Sequence, residues 1–467
     1  MLDTRTRRLL PWLAAVAFFM QTLDATILNT ALPSMARSLG ESPLRMQSVV
    51  VAYMLTTALL IPASGWLADR FGTRRVFLSA IGLFSLGSLF CALAPTLPTL
   101  VAGRVVQGLG GALMLPVGRL AILRSFPRAE LLKTLAFVSI PGLFGPLVGP
   151  PLGGWLVEVA SWHWVFLINL PVGLLGLVLT TRYMPDLRAP ERPRFDGRGF
   201  ILFSLGLMMV SLALQGLGER AFSTAVSVLL LVAGLAAMCG YWLHAARADH
   251  PLFGLQLFRI PTFAVGIAGN LFSRLGSGAM PFLTPLFLQV GLGYSPSTAG
   301  LSMVPTVAGA MVAKRFAERL INRFGYRQVL VVNTLLLGSL IAGFSLIGRG
   351  TPHALILLHL ALFGVVNSLQ FTAMNTLSLS DLDDRNASSG NSLLSVVMQL
   401  SMSLGVAAAA SLLLAFNPQA LEGEALMPAF HRTYLCVGAL SVMASWIFFQ
   451  LGRHERPSGP ASQEVEA

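Results

Sequence analysis

Ala68-Asp69-Arg70-Phe71-Gly72-Thr73-Arg74-Arg75-Val76 has a degenerate copy half a chain later, Ile321-Asn322-Arg323-Phe324-Gly325-Tyr326-Arg327-Gln328-Val329. Each copy joins two long apolar runs and places a glycine where the chain must turn sharply. Both read as helix–tight turn–helix junctions. The repeat predicts two equivalent halves of six apolar runs each, with two further runs inserted between them.

The rest of the sequence has the same character. Apolar residues make up 55% of the 467 and charged residues only 11%, against about 25% charged in soluble proteins. The deficit fits lipid, where an unpaired charge is costly. Runs of roughly 20 residues recur, each long enough to cross a hydrocarbon core of about 30 Å. Lipid cannot satisfy backbone polar groups, so these runs must be helices, and the alternating pattern of a membrane β-barrel is absent. The fold class is an all-α membrane protein. About 14 spans are predicted, at roughly 9–33, 45–68, 76–95, 98–122, 132–157, 162–183, 199–217, 223–246, 262–289, 296–321, 327–348, 353–378, 387–416 and 431–452.

The net charge of +12 does not indicate a nucleic-acid partner, because the basic residues sit in short loops, where they set topology. With the N-terminus in the cytoplasm, about 25 Lys/Arg fall on the cytoplasmic side. Arg37, Arg45, Arg220, Arg349 and Arg432 fall outside, and Arg104 and Arg274 fall within spans. A missed span would invert every later loop and spoil this split, so both termini are predicted cytoplasmic. The longest charged connector, 182–198, precedes the inserted pair. The expected organisation is a six-helix bundle over 1–183, a connector and inserted helix pair over 184–260, a second six-helix bundle over 261–452, and a cytoplasmic tail over 453–467.

Several function classes fall away. The only lysines, Lys133 and Lys314, do not follow glycine, so the phosphate loop of an ATP-driven pump is missing. A His-Glu-x-x-His constellation is absent, and no enzyme or cofactor is predicted. Cys91, Cys239 and Cys436 lie in three different apolar runs and read as packing residues, not as a disulfide framework or metal site. The first run is long, contains Asp24 and lacks a small-x-small cleavage site, so it reads as a retained span and not a signal peptide. Non-spanning stretches are too short for a receptor's soluble domain.

Gly65-Trp66-Leu67-Ala68-Asp69-Arg70-Phe71-Gly72-Thr73-Arg74-Arg75 resembles the signature loop of the major facilitator superfamily. Leu23-Asp24-Ala25-Thr26-Ile27-Leu28-Asn29-Thr30-Ala31-Leu32-Pro33 resembles the first-span motif of its 14-span drug:proton antiporters. Arg104-Val105-Val106-Gln107-Gly108-Leu109-Gly110-Gly111-Ala112 is similar to that group's fourth-span motif. Gly145-Pro146-Leu147-Val148-Gly149-Pro150-Pro151-Leu152-Gly153-Gly154 resembles its fifth-span motif, with Ala136 at the usual upstream glycine. Trp162-His163-Trp164-Val165-Phe166-Leu167-Ile168-Asn169-Leu170-Pro171-Val172-Gly173 resembles the sixth-span motif, with His163 where arginine is common. The resemblance covers nearly the whole chain. It implies the major facilitator fold, two pseudo-symmetric bundles plus two inserted helices, and a multidrug-efflux exporter of the bacterial inner membrane that trades protons for small molecules. A monomer is expected.

The residues themselves suggest the site. Gly145, Gly149 and Gly153 recur every four positions and share one helix face suited to close packing or sliding. Pro146, Pro150 and Pro151 weaken that helix's ladder, and Gly154 extends the small-residue surface. Gly65 is expected to allow close helix approach and Gly72 the tight turn, with Asp69, Arg70 and Arg74 forming a charge cluster that gates access. By family resemblance, Asp69 is expected against the span beginning near Ala387-Ser388-Ser389-Gly390. Asp24 lies roughly 14 Å, and Arg104 roughly 10 Å, from the outer ends of their spans at 1.5 Å per residue. They share a depth at which they can pair. Burial opposes the charge of Asp24 and the arginine supports it, which suits a proton-coupling pair. Arg274 lies roughly 18 Å along its span, near the midplane of the other half. Gln21, Gln107 and Asn270 sit three or four residues from these charges on the same faces and are candidate cavity residues. Internal symmetry predicts that Asp24 and Arg274 face each other across the central cavity, with Gly276 and Gly278 opening the backbone there. One acid against two arginines favours a neutral or anionic substrate such as a carboxylate or a metal–carboxylate chelate. Facilitated uniport or uptake is the other transport mode. His359 reads as a packing histidine.

Overall fold

The computed structural model describes residues 4–188, 195–219, 223–383, 386–417 and 426–452. The predicted tail 453–467, the middle of the connector and Arg220 lie outside the described residues. The helices are α1 (Thr4–Leu39), α2 (Gln47–Phe71), α3 (Thr73–Ala92), α4 (Leu97–Ser125), α5 (Arg128–Val159), α6 (Trp164–Leu167) and α7 (Asn169–Tyr183). They continue with α8 (Gly197–Glu219), α9 (Thr224–Ala245), α10 (Pro261–Leu286), α11 (Pro296–Ser302), α12 (Val304–Gly343), α13 (His353–Leu379), α14 (Ala387–Phe416) and α15 (Leu426–Phe448). No strand occurs among the described residues.

Eleven segments among the described residues are long and apolar enough to cross a membrane, against the expected fourteen. Two causes lower the count. α10, which carries Arg274, and α15 are not among the eleven, and Pro296–Leu346 counts as one segment. Within that segment α12 is continuous by hydrogen bonding but non-helical at Gly325 (φ 77°, ψ 161°). Gly72, between α2 and α3, has φ 95° and ψ 144°. The two copies of the repeat thus adopt one turn geometry, in the positive-φ region that glycine enters without a steric penalty. The sixth and tenth predicted spans are each broken, at Ile168 and at Met303.

Call the end bearing the Gly72 and Gly325 turns the turn face, and the opposite end the far face. Towards the far face one core holds residues of both halves: Ile27, Leu32, Val50 and Cys91 pack with Leu283, Phe287, Leu360 and Phe430. Towards the turn face two cores are each confined to one half. Leu10, Phe77, Phe84 and Ile122 belong to the first half, and Ile321, Tyr326, Leu377 and Phe448 to the second. α8 and α9 join a further cluster, in which Phe203 and Tyr241 pack with Ala58 of α2 and Leu393 of α14. The inserted pair therefore lies along the α2–α14 seam.

Candidate functional site

Asp24 and Arg104 are each about 1% exposed and meet at 2.7 Å, Arg104 Nη1 donating to Asp24 Oδ2. Burial makes a lone charge here prohibitive, so polar side chains are gathered around the pair. Gln107, one helical turn after Arg104, donates Nε2 to Asp24 Oδ1 at 2.7 Å and accepts from Arg104 Nη1 at 2.6 Å. Asn169 Nδ2 reaches the same Oδ1 at 3.2 Å, and Gln107 and Asn169 also contact Ser88 Oγ. Arg104 Nε donates to Val49 O at 3.3 Å, and the guanidinium lies 4.3 Å from the Tyr53 ring centroid. Residue spacing did not indicate Ser88 or Tyr53. Asn169 was visible only as part of a motif. Gln21 bonds neither Asp24 nor Arg104, and its buried Oε1 is without a hydrogen bond.

The second half is built differently. Arg274 is 6% exposed; its Nε donates to Asn270 Oδ1 at 2.9 Å, and it lies 4.3 Å from the Phe371 ring centroid. Among the described residues it has no salt bridge to a carboxylate, and its Nη2 is buried without a hydrogen bond. Nearby, linking α10, α12 and α13, Gln370 donates to Thr334 at 2.7 Å and to Ser273 at 3.4 Å, and accepts from Asn333 at 2.8 Å. These four polar residues were missed because residues that pair across different helices share no period along the chain. The bonded partners of Asp24 all belong to the first half and those of Arg274 to the second, so no bond joins the two charges across the interface. Gly276 and Gly278 do not open the backbone: a Cβ on either would overlap Ser441 or Met402. His359 Nε2 donates to Leu340 O, 2.8 Å away, and its ring abuts Phe344.

At the turn face Asp69 pairs with Arg124 of α4, not with an arginine of its own loop. Arg70 lies over Trp66, 5.4 Å from the ring centroid, and Trp66 stacks on Phe195 of the connector. Thr73 binds Pro185 O through its hydroxyl at 2.8 Å and Leu187 O through its N–H at 3.0 Å, so the connector is laced over the turn. Arg74 is half-buried beside it. Gly65 differs from expectation: a Cβ there would meet nothing within 4 Å, so no helix approaches it in this conformation. Asp196 closes the connector, accepting from Gly199 N–H at 2.8 Å, His244 Nε2 at 2.7 Å and Leu252 N–H at 3.1 Å. Desolvation pushes its carboxyl upward, but these three donors outweigh it and hold it below the usual carboxylate range.

α5 stays one helix despite Pro141, Pro146, Pro150 and Pro151. Its glycine stripe is fitted to α1. A Cβ on Gly145, Gly149 or Gly153 would overlap Thr22, Thr26 or Thr30 in turn, and Thr26 and Thr30 hydroxyls donate to Gly145 O and Pro150 O at 3.2 Å. Gly154 faces the other way, against Pro296 of α11.

The family profile described as Major Facilitator Superfamily matches residues 14–406. The "Putative multidrug resistance protein MdtD" of Serratia proteamaculans (strain 568) is 52% identical over 439 residues, 94% of this chain and 92% of that protein. The protein of the same description from Yersinia enterocolitica (serotype O:8 / biotype 1B) is 51% identical over 439 residues, covering 94% and 93%. Among solved structures, a POT family transporter in complex with a thioalcohol-conjugated peptide superposes with TM-score 0.70 at 17% identity, covering 95% of both chains. A bacterial homolog of the human lysosomal transporter Spinster, inward-facing and unoccupied, superposes with TM-score 0.68 at 16% identity, covering 98% of this chain and all of that one.

Proposed function

The chain belongs to the major facilitator superfamily, and we propose that it works as a proton-coupled exporter of small molecules, of the multidrug-efflux kind, by alternating access. It is a multi-pass membrane transporter and not an enzyme. The reading rests on one observation: a single core shared by both halves closes the far face, whereas two of the remaining cores are each confined to one half and the third runs only along the α2–α14 seam. Two bodies joined at one end are what a rocking-bundle carrier needs. Counting α12 as two spans meeting at Gly325, and including α10 and α15, gives fourteen crossings. The basic turn loops then lie in the cytoplasm of a bacterial inner membrane, with both termini on that side. The conformation described accordingly has its non-cytoplasmic end closed, and the working unit is a monomer.

In this reading Asp24, paired with Arg104, carries the proton, and the Asp69 loop and the α5 glycine helix control access. Proton-driven accumulation in everted vesicles tests the coupling, and counterflow in proteoliposomes tests carriage. Absence of counterflow with any exported compound overturns the reading. A second reading, a dedicated exporter of an organic anion, is favoured by Arg274, whose buried Nη2 has no protein acceptor. A guanidinium fork suits a carboxylate. Comparing metabolites exported by cells with and without the protein separates the two. A uniporter would show counterflow but no proton-driven accumulation.

A further inference from the structure

The far face is closed by contacts between halves that neither the sequence motifs nor the charged pair explains. Glu158, at the last turn of α5, accepts from Ser297 N–H at 2.9 Å through Oε1 and from the Ser297 hydroxyl at 2.6 Å through Oε2. Ser297 lies in α11, so both bonds cross from the first half to the second. Beside them the two backbones touch reciprocally. A Cβ on Gly154 of α5 would overlap Pro296 O, and a Cβ on Gly300 of α11 would overlap Pro150 O. Gln289 Nε2 adds a bond to Thr30 O at 2.9 Å, again across the halves.

We infer that Glu158 is a latch residue: its carboxylate, seated on Ser297 over the Gly154–Gly300 crossing, holds the far face shut and sets the balance between the two access states. Two features distinguish this contact from general core packing. Glu158 is exposed, so removing its side chain leaves no cavity. Both of its oxygens are committed to one residue of the opposite half, so the bonds exist only while the halves are together. The glycine pair makes that seating possible, because only hydrogen side chains permit two helix backbones to come this close. When the far face opens, Glu158 exchanges Ser297 for water, so the latch favours the closed state without locking it. The inference rests on the alternating-access reading above.

The test places spin labels at Leu93→Cys and Leu346→Cys, exposed far-face positions in opposite halves. Cys239, exposed on α9, and the part-buried Cys436 are replaced by serine. Far-face distances are recorded over a pH series. The parent should show a short and a long population whose ratio moves with pH. Glu158→Ala should lower the short-to-long ratio about threefold to tenfold, as expected for losing charge-assisted bonds at a solvated site, and Glu158→Gln should fall between it and the parent. Gly300→Ala should lower the ratio about tenfold or more, through overlap at the crossing. All three variants should elute as the folded parent does. Two populations with the parent ratio in Glu158→Ala overturn the latch while leaving alternating access standing. A single population at every pH in every variant overturns both.

Discussion

Replacing Asp24 by asparagine keeps the shape and removes the charge. Its Oδ2 receives Arg104 and its Oδ1 receives Gln107 and Asn169, so three donors converge on two acceptor oxygens. Asparagine has one acceptor and an amide that itself donates. Turned towards Arg104, its oxygen leaves the amide against Gln107 Nε2. Flipping Gln107 relieves that clash but removes the acceptor Gln107 offers Arg104. Every arrangement leaves two donors facing, and Arg104, 1% exposed, is left without its counter-ion. Breaking one side of a buried pair costs about 3–5 kcal/mol, and the retained acceptor puts Asp24→Asn near 3 kcal/mol. The melting temperature in detergent should drop by several degrees. Adding Arg104→Met should restore much of it, a non-additivity of at least about 1 kcal/mol. In everted vesicles both variants should reach the membrane and neither should accumulate substrate uphill. If Asp24→Asn melts with the parent and the double variant melts no higher, the network does not depend on that charge. If Asp24→Asn still drives uphill transport, the proton is carried elsewhere.

Asp69→Ala and Arg124→Ala should slow turnover alike, with little change in substrate affinity, because they remove the same bridge; a phenotype in only one, seen in initial export rates, would exclude the pair as the functional unit. Gly72→Ala should destabilise by about 1–3 kcal/mol, since alanine is strained at φ 95° and its methyl would strike Asp186; thermal melting checks this. Asp196→Asn should loosen the connector at neutral pH. The native carboxyl is held below its ordinary range, so its stabilisation is present above that range and is lost as pH falls through the depressed value. Proteolysis near the connector should separate variant from parent at pH 7 and converge in strong acid.

The two-fold repeat, the all-helical membrane class and the depth at which Asp24 and Arg104 meet were legible in the residues alone. Those follow from periods and distances along one chain: an apolar run has a length, and 1.5 Å per residue sets a depth. Gln107 was legible for the same reason, being one turn from Arg104. Tertiary structure decided what depth cannot carry, the direction a side chain faces and what stands opposite. It brought Asn169 from α7 to Asp24, and Ser88 from α3 to Gln107 and Asn169 beside it. It gave Asp69 a partner on α4, left Gly65 facing open space, and kept the bonds of Asp24 and Arg274 within separate halves. The glycine stripe shows the division most plainly. Its spacing of four put Gly145, Gly149 and Gly153 on one face, but only packing could reveal that this face is filled by Thr22, Thr26 and Thr30 while Gly154 meets the other half. A helix's periodicity names a face; the neighbour that covers it comes from elsewhere in the chain and is chosen by the shape of both.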